Sequence, residues 1–400
     1  MWVFATQGLS SASNFALTLF VLASATPHEF GSFSIGITSY MLIVQLSRTG
    51  LSLPLLVLYS GREPSAVSAA TRPALALTVL TGCVAAIPFV IGALVYREAR
   101  SAFIILAASL PFLLYQDVVR HIAIARAEPR LAAASDGIWF LLQLLGSAVA
   151  IVASYRSPTV LLLVWAAAGT VSGAALGWHL GARPALQGIN EWLRTHRSLF
   201  SRMLAEFGLT SGSFYALSYG LAILAGPEQL GRLRAAQALI GPVSVLVLGG
   251  VVLGVPESVR VRHDKAALRR FAVHLSAFLA AASVLGGVAS YVALPTIGPR
   301  LFPAIWSFAR PLIPVLTIYS ASVGISIGAL SALRALDGNR WIVTARAWTA
   351  GFVIVLGFPL SVTSGAGGAI VTLAIVETAF AFCAWTRFVL ISFPEQTTSL

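Results

Sequence analysis

Charge is what this chain has least of. Of 400 residues, 26 are Lys or Arg and 14 are Asp or Glu, 10% in all, against about 25% in a soluble domain. With 58% of the residues hydrophobic, so few charges exclude a water-soluble fold. Cysteine is equally scarce. Cys83 and Cys383 each lie inside an apolar run, which removes any basis for a disulfide framework or a CxxC metal site and leaves them as packing residues in the lipid phase. Catalytic signatures are missing as well. There is no GxxxxGK[ST] loop for nucleotide phosphates, no HExxH and no GxSxG, and charged groups are too sparse for a hydrolase site. The expectation is a non-enzyme with no cofactor and no metal. The start, MWVFATQGLS, has neither a basic n-region nor a small-residue cleavage site, so the first apolar run is expected to persist as a helix.

What the chain has in abundance is apolar length. A bilayer crossing takes about 20 mostly apolar residues, and the apolar runs predict helices near 2–25, 31–59, 72–96, 101–125, 132–154 and 159–181. Six more fall near 200–225, 231–257, 268–293, 303–334, 340–362 and 366–391. Twelve crossings put both termini on one side. Basic residues collect in cytoplasmic loops, so the net charge of +12 reports topology and not affinity for nucleic acid. With the N-terminus inside, the inner loops and helix ends hold 18 of the 26 basic residues, and the outer side holds Arg97, Arg100, Arg156, Arg232, Arg234, Arg300 and Arg310. Arg48 falls within helix 2. The asymmetry predicts both termini in the cytoplasm of a bacterial-type inner membrane.

An internal repeat organises the twelve helices. Gly8 to Thr18, GLSSASNFALT, aligns at an offset of 200 with Gly208 to Ser218, GLTSGSFYALS, with six of eleven positions identical and three more conservative. The register continues through the next loop, where Pro27 and Gly31 correspond to Pro227 and Gly231. Because each half holds an even number of helices, the halves run the same way through the membrane, related by an axis along its normal. The expected fold class is an all-α polytopic membrane protein with about twelve transmembrane helices in two parallel-related six-helix bundles. Residues 1–181 form the first bundle and 201–400 the second. Residues 182–200, in the longest polar stretch, form a cytoplasmic amphipathic linker whose apolar face is Ile189, Trp192 and Leu193.

The Ser/Asn-bearing first helix GLSSASNFALTLFVLA, the turn PHEFGSFSIG and its echo PEQLGRL resemble the multidrug/oligosaccharidyl-lipid/polysaccharide exporter superfamily, specifically its polysaccharide flippase branch. The resemblance covers most of the chain. It implies a cavity lined chiefly by helices 1, 2, 7 and 8, and export of an isoprenoid-linked oligosaccharide from the inner to the outer leaflet by alternating access. The substrate would be a lipid-linked glycan. Membrane lipids, and glycosyltransferases and a polymerase of the same pathway, would be its other partners. Lipid II flippases of the same architecture resemble a longer chain, with a charged pair in helix 1 that is absent here.

Such a substrate needs a cation for its phosphate, hydrogen-bonding groups for its glycan and a lateral opening for its tail. Arg48 in helix 2 is the leading candidate, because an ionisable residue at membrane depth is costly and marks a function. Its guanidinium fork suits phosphate, and Gln45 lies one turn before it; snorkelling or a structural ion pair is the competing reading. Arg232 and Arg234 open helix 8 and are candidates for the head group or for plain loop charges. Asn14, Ser211 and Tyr215 belong to matching polar stripes in helices 1 and 7, read as a sugar-binding wall or as close packing. Asp117 and Arg120, three residues apart, share a face of helix 4 and can neutralise one another, or take part in gating. Glu206 and Glu377 are acids within the membrane that suit ion coupling; an Arg202 partner is the other reading of Glu206.

Two rivals follow from the same residues. A cation-coupled multidrug antiporter of the same superfamily would need an acidic, aromatic cavity, yet helices 1, 2 and 8 carry no acid inside the membrane. A polytopic enzyme of envelope-glycan assembly would need a large outer loop, and the longest loop is predicted to be cytoplasmic.

Overall fold

The computed structural model describes residues 2–59, 64–303, 305–336 and 338–392, and no strand occurs among them. The chain divides into two compact units, Met1–Gly208 and Leu209–Leu400. In the first, α1 (Trp2–Ser24) is followed by α2 (Pro27–Ser47), which runs through a π-helical turn, Arg48–Ser52, into α3 (Leu53–Tyr59). Then come α4 (Pro64–Val95), α5 (Arg100–Ala125), α6 (Pro129–Val152), α7 (Pro158–His179) and the amphipathic α8 (Ile189–Phe207). The π-turn Gly208–Gly212 leads to α9 (Ser213–Leu224), α10 (Pro227–Leu239), α11 (Gly241–Val261) and α12 (Lys265–Leu301). The second unit closes with α13 (Trp306–Ala309), α14 (Ile313–Ala335) and α15 (Asn339–Ser392).

Among the described residues eight helices are long and apolar enough to cross a membrane. The last, Arg340–Ser392, has 53 residues, more than twice the roughly 20 a crossing needs. It is two crossings, because at Gly365 the backbone turns at φ 56° and ψ −136°, a region open to glycine alone. The two arms return against each other, with Trp341 stacked on Phe380 at 6.4 Å between ring centroids. Adding α1 and the helix pairs α8–α9 and α10–α11, the protein is an all-α, multi-pass membrane protein of about twelve transmembrane helices.

The helix starts follow local chemistry. Proline suits the first helical position, where its missing N–H costs nothing, and Pro27 and Pro227 both open helices, so the 200-residue repeat survives in the fold. Thr26 and Glu29 form a reciprocal cap on α2: the Thr26 amide donates to Glu29 Oε2 at 2.8 Å and the Glu29 amide to Thr26 Oγ1 at 3.3 Å. This starts the second crossing at 27 instead of 31. The linker helix also differs from expectation. Neither glycine nor proline interrupts residues 189–207, so α8 absorbs the segment 200–207 read as the start of the seventh crossing. Its packed face holds Trp192 and His196, which are buried, while Leu193 points outward.

In lipid, apolar burial does not drive helices together, and close packing through small residues takes its place. On α7, Gly169, Gly173 and Gly177 recur every fourth residue. A Cβ at Gly169 would strike Trp139 and Leu113, and one at Gly173 would strike Gln116. This stripe lets α7 press directly on α5 and so sets the depth of Gln116 and its neighbours. In α5 itself Leu110, Leu113, Leu114, Val118, Val119 and Ile122 are fully buried, which makes it the central helix of the first unit. Both cysteines are exposed, on the outer surface of their units and not in the packed interior.

Candidate functional site

The π-turn in α2 inserts one extra residue per turn and carries Arg48 at its start. From there Arg48 reaches across to α5: its Nε lies 3.0 and 3.1 Å from the two Asp117 oxygens, and Nη2 lies 2.7 Å from Oδ1. Its third nitrogen, Nη1, donates to Gln45 Oε1 at 3.3 Å. Asp117 is shared, for Arg120 Nη2 donates to the same Oδ1 at 3.0 Å. Arg120 Nη1 then reaches Asp136 Oδ2 on α6 at 3.1 Å, and Gln116 Nε2 donates to Asp136 Oδ1 at 3.3 Å. His121 Nδ1 sits 2.6 Å from the Asp117 carbonyl and 3.6 Å from Asp117 Oδ2. Two guanidinium groups and two carboxylates thus form one balanced chain across α2, α5 and α6. Balance is required here, because an unpaired charge in this environment costs several kcal/mol.

Accessibility within the chain is unequal. Asp117 and Arg120 are 5% exposed at the side chain and Asp136 is 0%, whereas Arg48 is 29% exposed. The face this network offers to its surroundings is therefore cationic. Sequence reading brought Arg48 with Gln45, and Asp117 with Arg120, forward as two separate pairs, and the structure unites them. Asp136 was missed. Its signal was available as an acid inside the apolar run ASDGIWFLLQLL, but its place near a predicted helix start hid it.

The second unit carries a smaller pair. Arg346 on the first arm of α15 donates from Nη1 to Glu377 Oε2 on the second arm at 2.8 Å and from Nη2 to Oε1 at 3.3 Å. Ser326 of α14 adds a bond to Oε1 at 3.0 Å, and the guanidinium lies 3.7 Å from the Phe380 ring centroid. Glu377 is thus a neutralised acid. Arg346, counted from sequence among the basic helix ends, is its partner. The side chains of Glu206 and Arg202 lie outside the described residues.

Arg232 and Arg234 do not sit in a loop, since α10 begins at Pro227 and carries both on its first two turns. Arg232 is taken up structurally: its Nε donates to the Phe308 carbonyl at 2.6 Å, and its guanidinium lies 5.3 Å from that ring. Arg234 faces the other way, toward α9. It lies 5.3 Å from the Phe214 centroid, donates to Gln237 Oε1 at 3.3 Å, and has Tyr215 and Tyr219 within electrostatic reach. The polar stripe on α1 divides in the same manner. Ser13 is buried and exchanges hydrogen bonds with Gln143 of α6, its hydroxyl to Oε1 and its carbonyl from Nε2 at 3.0 Å, which is packing. Asn14 and Ser211 are half-buried, and neither side chain has a hydrogen-bond partner among the described residues.

No family model matches the chain, and no curated sequence does. Solved structures do. An inward-facing multidrug resistance MATE family transporter of the MOP superfamily shares 12% identity over 100% of both chains, with a TM-score of 0.67. The lipid II flippase MurJ in an inward closed conformation shares 13% identity, covering 98% of this chain and 89% of its own, with a TM-score of 0.70. A MOP superfamily transporter from Pyrococcus furiosus, described as having a binding pocket of reversed polarity, shares 10% identity over 98% and 94%, with a TM-score of 0.61. At such identities the likeness establishes the fold alone: the chain is folded like these three proteins, which are described as two transporters and a flippase.

Proposed function

We propose that this protein moves isoprenoid-linked oligosaccharide precursors from the inner to the outer leaflet of a bacterial-type cytoplasmic membrane by alternating access. One observation carries the reading. Every described carboxylate deep in the membrane-spanning helices, Asp117, Asp136 and Glu377, is buried and bound by an arginine, while Arg48 and Arg234 keep partly accessible guanidinium groups. Hidden acids and accessible cations in both units suit a pyrophosphate or phosphate. A cation-coupled multidrug antiporter needs the reverse.

In this reading the substrate's phosphate competes with Asp117 for Arg48. Displacement leaves Asp117 on Arg120, so no buried carboxylate is stranded while the head group is held. Asn14, Ser211 and Tyr215 supply hydrogen bonds to sugars, and Arg234, backed by Gln45-like amide support from Gln237, holds the head group at a later stage. Residues 1–181 and 201–400 act as the two rocking bodies, joined by the linker 182–200, and glycosyltransferases and a polymerase act upstream and downstream.

The test is a leaflet-resolved assay of isoprenoid-linked oligosaccharide in membranes of cells with the protein, without it, and with Arg48→Ala. The expected result is accumulation on the cytoplasmic face in the last two. An unchanged distribution without the protein, in cells lacking a redundant transporter, overturns the flippase reading and puts the drug antiporter first.

A further inference from the structure

The two arms of α15 enclose a groove of about 730 Å³ on the outer surface of the second unit, lined by Trp348, Phe352, Leu356, Ile375, Phe382 and Leu390 among others. It is a concave site of the size that holds a ligand. It also has two unlike ends. Leu356 and Ile375 close one end, and Trp341, Thr344, Thr386 and Arg387 gather at the other. Arg387 is exposed and makes no ion pair or hydrogen bond among the described residues. A groove apolar along its length with one uncommitted guanidinium at its end is complementary to an amphiphile with an anionic head.

Length narrows the class of amphiphile. From Trp341 to Leu356 the lining runs 15 residues along one helix, roughly 22 Å at 1.5 Å per residue. One leaflet of a roughly 30 Å hydrocarbon core is about 15 Å deep. The chain of an ordinary phospholipid ends within its leaflet, whereas a groove of this length exceeds the depth of one leaflet. Its aromatic and branched lining also suits a branched, unsaturated chain. We infer that the α15 groove binds the tail of a long-chain polyprenyl lipid, with its phosphate on Arg387. The choice of lipid rests on the transport reading above, and it gives that reading a place for the tail while the head group crosses.

The groove contains its own reporter, since Cys383 lines it and the other cysteine, Cys83, is distant in sequence and in the other unit. In a Cys83→Ser protein reconstituted in phosphatidylethanolamine and phosphatidylglycerol vesicles, the rate of Cys383 alkylation by a membrane-permeant bimane is measured against added long-chain polyprenyl phosphate. The expected result is slowing of several-fold by the polyprenyl phosphate, less slowing by the neutral polyprenol, and loss of that difference in Arg387→Ala. Ala379→Trp, which fills the groove from an exposed position, should abolish the dependence on added lipid while the protein keeps its elution and melting behaviour. Equal slowing by extra phosphatidylglycerol, or none by the polyprenyl phosphate, overturns the inference. The leaflet assay separates the two claims: flipping without Cys383 protection refutes the groove alone, and protection without flipping refutes the transport reading alone.

Discussion

At the scale of single residues, the decisive feature is that one carboxylate serves two arginines. Asp117→Ala leaves Arg48 and Arg120 competing for Asp136 alone, and breaking a buried pair in this way costs about 3–5 kcal/mol. The melting temperature in detergent should fall sharply. Arg48→Ala is milder for stability, because Asp117 keeps Arg120 at 3.0 Å, yet it should abolish flipping; a variant that loses both equally would make Arg48 a purely structural residue. In the second unit, Arg346→Met and Glu377→Gln should each destabilise strongly, and the double variant should cost less than the sum of the two. A thermal double-mutant cycle measures that coupling, and strict additivity would contradict the ion pair. Arg48, Asp117 and Arg120 were legible from sequence as charges misplaced in apolar runs. Which acid holds which base was not, because Arg48 and Asp117 are 69 positions apart and only helix packing closes that distance.

At the scale of elements, two helices depend on a glycine for their geometry. Gly365 turns α15 back on itself, and a Cβ there would lie 2.5 Å from Gln229 Oε1, the atom that accepts from the Ala366 amide at 3.1 Å. Gly365→Ala should destabilise by about 1–3 kcal/mol, the range for a side chain forced into such a backbone region, read as a lower melting temperature. Gly50 lies within the π-turn behind Arg48, where a Cβ would meet the Phe200 ring at 2.5 Å. The linker helix is held to the same place by Trp192, buried in a cluster with Leu51 and Leu55, and by His196, whose Nε2 lies 3.3 Å from Tyr59 Oη. Gly50→Ala should therefore loosen α8, and tryptic cleavage at the exposed Arg194 and Arg197 should become faster; an unchanged rate would mean that Phe200 simply rotates away. The amphipathic character of α8 was readable in sequence. Which of its apolar residues pack on the bundle was not, since periodicity shows that one side is apolar but not which edge of it meets the bundle.

For the whole molecule, the basic residues predict which side each loop takes. In a background without Cys83 and Cys383, Tyr155→Cys should react with an impermeant maleimide added to intact cells and Arg183→Cys should not; the opposite pattern would invert the topology and the direction of transport with it. Composition, the spacing of apolar runs and the 200-residue repeat sufficed for the class of fold and the number of crossings, because the bilayer demands about 20 apolar residues per helix regardless of neighbours. Such demands are local, so a linear reading captures them. Two matters belonged to the tertiary structure alone. One was the neutralisation of Asp117, Asp136 and Glu377 by arginines on other helices, and the other was the groove between the arms of α15. Both arise where side chains remote in sequence meet at distances of a few ångströms, and a charge's role in low dielectric is set by what stands opposite it.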